Sequence, residues 1–145
     1  MIALIQRVTA AEVSVGGTSC ARIDAGLLAL IGIRPEDGPT DAARLLDRLL
    51  EYRVFADEAG RMNRSLRDTG GGLLLVPQFT LAAETRKGTR PGFSTAAAPQ
   101  HAEALFSALV SRAQQLHPTV GAGPFGAYMQ VSLINDGPVT FWLES

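Results

Sequence analysis

The sequence predicts an α+β domain, a mainly antiparallel, barrel-like sheet carrying two amphipathic helices. Three observations predict it. The first third of the chain alternates apolar and polar residues with the period of two that marks strands. Only two segments repeat their apolar residues at helical spacing. The order is therefore strands, helix, strands, helix, strands, and two helices are too few to cover both faces of a doubly wound parallel sheet.

Each element has its own signal. Ile2, Leu4, Gln6 and Val8 alternate with Ala3, Ile5, Arg7 and Thr9, and Val13 and Val15 carry the pattern to Gly16-Gly17, a hairpin turn. A second strand runs through Ile23. Leu27 to Ile33 is continuously apolar, as a strand covered on both faces should be. Arg34 to Pro39 is a loop. Thr40 reads as an N-cap with Asp41 in the first turn, and Leu45, Leu46, Leu49 and Leu50 form the stripe of a helix ending near Arg53. Val54-Phe55-Ala56 is a short strand entering the Asp57–Gly60 turn. Gly70-Gly71-Gly72 breaks the chain before a buried strand, Leu73-Leu74-Leu75-Val76. Ala82 to Thr95 is a polar, Gly/Pro-punctuated loop, and loops beyond about 12 residues are uncommon unless functional. The second helix starts at Pro99, which a first turn accepts. Its stripe is Ala102, Leu105, Phe106, Leu109, Val110, Ala113 and Leu116, and Pro118 stops it. Two last strands, Ala127–Asn135 and Val139–Leu143, close the chain.

The 145 residues are expected to form one domain, 1–145, large enough to bury roughly 68–70% of its unfolded surface without staples. There is one cysteine, Cys20, so no intrachain disulfide forms. That usage, the lack of a basic start to the apolar N-terminus and the absence of a run of about 18 apolar residues give the expectation of a cytoplasmic protein outside the membrane. The net charge of −1 excludes a surface that coats duplex nucleic acid, so no DNA partner is expected and any nucleic-acid contact is local. Two basic clusters could supply one: Arg61, Arg64 and Arg67, or Arg86, Lys87 and Arg90. On residues alone, ordinary solvated loop charge is the simpler reading of either.

Gly121-Ala122-Gly123-Pro124-Phe125-Gly126 fits G-x-G-x-x-G but follows a helix, contains a proline and enters a strand, the reverse of the dinucleotide context. His101 and His117 have no Cys or His at ligand spacing, so no metal or other cofactor is expected. No Gly-x-Ser-x-Gly elbow is present. Thr80 ends a buried strand at the start of the long loop. As a nucleophile it would need an activating base; as a structural residue it would hydrogen-bond locally. The backbone N–H groups of Gln78, Phe79 and Thr80, leaving the sheet there, could hold a developing oxyanion without any special side chain. Asn135-Asp136-Gly137-Pro138 is turn-forming, in a connection short enough for a cis proline, although most X-Pro bonds are trans.

Taken together, Leu75-Val76-Pro77-Gln78-Phe79-Thr80-Leu81 and Asn135-Asp136-Gly137-Pro138-Val139-Thr140 resemble the two signature motifs of the D-aminoacyl-tRNA deacylases. The resemblance extends to Ile5-Gln6-Arg7-Val8, Glu84-Thr85-Arg86-Lys87-Gly88, Arg90-Pro91, Phe125-Gly126-Ala127 and Met129-Gln130-Val131-Ser132-Leu133. It implies an editing hydrolase that cleaves the ester of D-aminoacyl-tRNA and of glycyl-tRNA, without a cofactor. It also implies a homodimer in which a cis Gly137-Pro138 turn of one subunit enters the site of the other and blocks L side chains. Arg7 would brace that turn; Gln78, Phe79 and Thr80 would line the site; Met129 would pack near the terminal adenine. Arg86, Lys87 and Arg90 would meet tRNA phosphates, and the substrate's own 2′-hydroxyl would assist catalysis. One departure stands out. Pro77 replaces the serine of the usual Ser-Gln-Phe-Thr-Leu and so lacks an N–H. A related group of deacylases that corrects L-alanine errors also has proline there, but Phe79 and the Asp136–Val139 context match the D-specific pattern. Two other classes stay open: a non-catalytic RNA- or DNA-binding module using the basic loop, and a small-molecule esterase using Thr80.

Overall fold

Strand β1 is the spine of the sheet because three other strands can pair along its 14 residues. The computed structural model describes residues 1–145. β1 (Ile2–Val15) pairs antiparallel with β2 (Thr18–Ile23) and β3 (Gly26–Gly32) on one side and with β8 (Gln130–Glu144) on the other. β3 then pairs parallel with β6 (Gly72–Pro77), and β6 pairs parallel with β7 (Val120–Ala122). β2 curls back against β7, so the sheet is nearly closed into a barrel. A hairpin of β4 (Phe55–Ala56) and β5 (Met62–Arg64) lies outside it.

The α+β class and barrel-like sheet match the expectation, and the parallel pairs qualify its mainly antiparallel character. Parallel neighbours need a crossover, usually helical. α1 (Pro39–Glu51) makes the first, from β3 to β6, and α3 (Pro99–Leu116) the second, from β6 to β7. Both helices pack on one side of the sheet. Leu45, Leu46, Leu49, Leu105, Phe106 and Leu109 meet Leu27, Ala29, Leu73 and Leu75 there. Val13, Ile23, Leu28, Leu74 and Val76 fill the barrel interior. β3 and β6 are thus covered on both faces, which explains their unbroken apolar runs.

Several boundaries differ from expectation. The N-cap of α1 is Gly38 rather than Thr40; Pro39 takes the first turn, and the Asp41 carboxylate accepts from the Gly38 N–H at 3.0 Å. α1 ends at Glu51, before Arg53. A four-residue helix, α2 (Leu66–Thr69), is capped by Ser65 and closed by Gly70 in the left-handed region, φ 67°. A 3-10 turn, Phe79–Ala82, lies between β6 and the expected loop and overlaps it only at Ala82. β7 forms inside the glycine-rich segment read as a loop.

The largest difference lies at the C-terminal end. The two expected last strands are one strand, β8. Gln6 faces Thr140 and Val8 faces Asn135, so a single residue of β1, Arg7, stands opposite four residues, 136–139. The chain keeps its direction across these four. They form an excursion from a continuous strand, not a hairpin connection.

Candidate functional site

β6 and β7 stay paired as far as Leu75 and Ala122 and then part. A cleft of about 450 Å³ opens there, lined on one side by Pro77, Gln78 and Phe79 and on the other by Phe125 and Met129, over a floor that includes Val76. Most lining residues are hydrophobic, which suits a flat apolar or aromatic group. A second, more polar hollow of about 520 Å³ lies beyond Leu81 and includes Arg34, Glu84, Arg86 and Trp142.

The structure brings Gln78 and Phe79 together with Met129, residues some fifty positions apart. Thr80 is exposed beside the cleft rather than in its lining. The Gln78 N–H is not free, because it donates to the Ile31 oxygen at 2.7 Å. Phe79 and Thr80 open the 3-10 turn, and the first N–H groups of a helical turn have no acceptor within it. Those two donors remain from the expected three. The Thr80 hydroxyl accepts from Gln78 Nε2 at 2.5 Å, and an amide is no base. Neither histidine lines the cleft: His101 Nε2 lies 2.8 Å from the Asp37 oxygen, and His117 Nε2 lies 2.6 Å from the Gly71 oxygen. Phe79 also packs on Phe93 from the long loop, ring centroids 5.1 Å apart; Phe93 carried no sequence signal beyond its apolar character.

The Gly137-Pro138 bond is cis. The excursion that carries it is tied at both ends. Arg7 Nε donates to the Asp136 oxygen at 2.9 Å and pairs with its carboxylate at 3.3 Å, while Arg7 Nη1 donates to the Val54 oxygen at 2.6 Å. Asn135 closes the neck, accepting from Val139 N–H at 2.7 Å and donating to Thr140 Oγ1 at 3.0 Å. Sequence reasoning took Asn135 only as a turn former; its spacing of four and five residues from Val139 and Thr140 carried the cue. Gly137 has φ 146°, and a Cβ there would sit 2.7 Å from Val139 Cγ2. Gly137 and Pro138 are exposed and do not line the cleft of their own chain.

The two basic clusters separate. Arg61 pairs with Asp57, Arg67 with Asp47 and Glu51, and Arg64 donates to the Asp68 oxygen. In the long loop Arg86 pairs with Glu84, while Lys87 and Arg90 are exposed and form no ion pair. The shifted acids lie outside the cleft. Asp57 is held below its ordinary pKa by the Arg61 N–H and the Asn63 amide, Asp68 by Ser65, Asp41 by Gly38, and Glu144 by Arg34 and Trp142. Three are turn and cap acids and Glu144 lies on β8, so none supplies the cleft with a general base. No group of three or more His, Cys, Asp or Glu side chains is arranged to hold a metal. No helix is long and apolar enough to cross a membrane.

Residues 4–144 match the family model described as D-Tyr-tRNA(Tyr) deacylase. Among curated relatives, the D-aminoacyl-tRNA deacylase of Thioalkalivibrio sulfidiphilus strain HL-EbGR7 is 62% identical over 144 residues, 99% of this chain and 97% of the relative. That of Stutzerimonas stutzeri strain A1501 is 61% identical over 145 residues, all of both chains. Among solved structures, a c-Myc DNA unwinding element binding protein aligns with TM-score 0.95 and 38% identity over 100% of this chain and 99% of that one. A probable eukaryotic D-amino acid tRNA deacylase aligns with TM-score 0.87 over 99% and 98%, and at 16% identity it bears on the fold alone.

Proposed function

The chain belongs to the D-Tyr-tRNA(Tyr) deacylase family, and from that premise we propose that it proofreads charged tRNA in the cytoplasm as a homodimer. It is a D-aminoacyl-tRNA deacylase, a hydrolase of the ester between a D-amino acid and tRNA. The finer reading is that the turn at Gly137-Pro138 excludes L side chains, that glycyl-tRNA is also cleaved, and that the substrate's 2′-hydroxyl assists the chemistry.

One observation carries the chirality reading. The excursion at residues 136–139 is braced by Arg7 and Asn135, yet it is exposed and absent from its own cleft. Rigid backbone aimed at nothing in its own chain has a use if a second copy receives it. β8 supports such a partner. It pairs only with β1 and exposes Ile134 and Trp142. A long edge strand with an apolar face is a surface natural proteins cover. Phe141 and Leu143 alternate to the other face; Leu143 is buried and Phe141 packs edge-on against Tyr52. Fixed carbonyl oxygens block one stereochemical direction without gripping a side chain, so many D residues and glycine would pass.

The chemistry follows from what surrounds the 3-10 turn. Thr80 has an amide for a partner, and neither histidine lines the cleft. The remaining resource is the pair of N–H groups at Phe79 and Thr80, which suit a developing oxyanion. The neighbouring ribose hydroxyl of the ester supplies proximity that the protein does not. Lys87 and Arg90, free of ion pairs, suit acceptor-stem phosphates. DNA binding, the property in one structural neighbour's name, finds no support in a net charge of −1 and in arginines engaged by their own acids.

Following ester loss from D-tyrosyl-, L-tyrosyl- and glycyl-tRNA tests the proposal. Hydrolysis of the D and glycyl substrates with the L ester intact is expected. Comparable rates on D- and L-tyrosyl-tRNA would overturn the chirality reading.

A further inference from the structure

We propose that Phe93 is a positioning residue for the deacylation, its ring fixing the stretch of the 3-10 turn that carries the two N–H donors. The inference rests on the deacylase chemistry argued above, in which the Phe79 and Thr80 N–H groups hold the oxyanion. The turn is secured on either side of those donors. Before them, Gln78 N–H donates to the Ile31 oxygen at 2.7 Å. After them, Leu81 lies so close to β3 that a Cβ on Gly32 would come within 2.9 Å of the Leu81 Cβ, and the Ala82 oxygen accepts from the Thr95 hydroxyl at 2.5 Å. Phe79 and Thr80 lie between these ties and are both exposed. The Thr80 side chain reaches back to Gln78. The Phe79 side chain, 57% exposed, meets the Phe93 ring at 5.1 Å between centroids, tilted by 57°.

Phe93 is itself held from both directions. Gly92, just before it, exchanges two backbone hydrogen bonds with Glu84, at 2.8 and 3.0 Å. Just after it, Ala96 N–H returns to the Phe93 oxygen at 3.1 Å and Ala97 N–H donates to the Ile33 oxygen at 3.0 Å. The ring therefore stands on a fixed base, although it is 45% exposed. It does not line the cleft, so it acts on Phe79 and not on what the cleft holds. A tilted aromatic pair contributes beyond the area it buries. Its use here is geometric. The N–H groups of Phe79 and Thr80 belong to the two peptides that flank the Phe79 Cα, so any drift of Phe79 moves both donors. A ring held at Phe93 resists that drift. Such donors work only where they are aimed at the developing charge, and a misplacement of about 1 Å can cost about 10²-fold in rate.

The test is single-turnover hydrolysis of D-tyrosyl-tRNA by wild type, Phe93→Ala, Phe93→Leu and Phe93→Tyr over a range of enzyme concentrations. Phe93→Ala is expected to lower the maximal rate about 10-fold, less than the loss of a whole donor because both are displaced rather than removed. The half-saturating concentration should stay within about twofold of wild type. Phe93→Leu fills part of the space without a ring and should fall between. Phe93→Tyr keeps the ring and should match wild type within about twofold in both quantities. Circular dichroism melts check that each variant is folded at the assay temperature. If Phe93→Ala is not, Phe93→Leu against Phe93→Tyr decides by the same criteria. A maximal rate unchanged in Phe93→Ala, a loss confined to the half-saturating concentration, or an equal loss in Phe93→Tyr overturns the proposal. A wild-type protein that leaves the D ester intact defeats the deacylase chemistry and the proposal with it. An active wild type whose rate is indifferent to residue 93 defeats the proposal alone.

Discussion

Replacing Arg7 tests whether the excursion must be held still. Arg7→Ala removes the donors to the Asp136 and Val54 oxygens, at 2.9 and 2.6 Å, and the pairing with the Asp136 carboxylate at 3.3 Å. Hydrogen bonds from charged donors are worth about 1.5–3 kcal/mol each. The half-exposed carboxylate adds no more than about 1 kcal/mol. Water can replace the guanidinium at the exposed Asp136 oxygen, whereas Val54 is buried. The net loss is then about 2–4 kcal/mol. The β1–β8 ladder on both sides of the excursion is untouched, so much of the loss falls on the position of residues 136–139 and about 2 kcal/mol on global stability. For a chain of this size that lowers Tm by about 4–8 °C. Deacylation of D-tyrosyl-tRNA should fall at least about 10-fold, the factor that about 1.4 kcal/mol represents, and protection of L-tyrosyl-tRNA should erode. Arg7→Lys should land between, because one ammonium cannot span two carbonyls as a fork does. Thermal melts and paired D and L ester assays read both effects. If Arg7→Ala melts lower yet keeps full D activity and full L protection, Arg7 is only structural and the turn does not select.

The other predictions concern separate parts of the molecule. Thr80→Ala should keep most of its activity, while D-tyrosyl-tRNA ending in 2′-deoxyadenosine should be nearly inert; a dead threonine variant with a cleaved deoxy substrate would make Thr80 the nucleophile. Lys87→Ala should weaken binding about equally for different tRNAs and reduce the slope of log K against log salt by about one; an unchanged slope would leave the loop merely solvated. Asp57, whose pKa is lowered from 3.8 by the Arg61 N–H and the Asn63 amide, stabilises the fold above that value and stops doing so as pH falls through its lower folded value. Melting curves of Asp57→Asn and wild type should therefore lie apart at neutral pH and converge in acid, and a constant gap would contradict this. Native mass spectrometry should show twice 15.3 kDa, and Ile134→Asp should shift the protein towards monomer if the exposed face of β8 is the contact.

What could be read from the sequence depended on whether a signal was local. Both long helices were legible because their stripes repeat at helical spacing, and β3 and β6 because their apolar residues run together without a polar break. The cap of α1 was misplaced by two residues, since Thr40 is a better capping residue than Gly38 in isolation and only the reach of Asp41 decides otherwise. β7 was invisible because three residues, one of them glycine, carry no period; its partner in β6 supplies the order. The excursion in β8 was read as a turn between two strands, because the continuity of register with β1 is not written in residues 130–144 themselves. The cleft was half legible. Pro77, Gln78 and Phe79 were marked by their motif, but the wall formed by Phe125 and Met129 joins them only through the β6–β7 pairing.

The position of the cleft follows from the feature that sequence reasoning set aside. Two helices are indeed too few to cover both faces of a parallel sheet, yet they suffice to make two crossovers on one face. Those crossovers leave β3, β6 and β7 running in one direction, so their carboxyl ends come to the same edge of the sheet. Ligands of open α/β sheets sit outside carboxyl ends, where strands stop pairing and leave backbone groups unpaired. Here the ends of β3 at Ile31 and Ile33, of β6 at Pro77, and of the segment after β7 at Phe125 all line the cleft. Proline at the last position of β6 sharpens the parting, because the ladder to β7 has no donor with which to continue. β8 runs in the opposite direction, with Val131 and the preceding Met129 lining the cleft at its start, while its excursion lies further along and does not line the same cleft. One sheet thus presents two functional edges. The first is a mouth where parallel strands end, which in the proposed function holds the charged end of the tRNA. The second is a braced backbone turn that, in the proposed dimer, serves the cleft of the second copy. A monomer of this fold would hold substrate without judging its chirality, so disrupting the β8 contact should cost L-ester protection before it costs nucleoside binding.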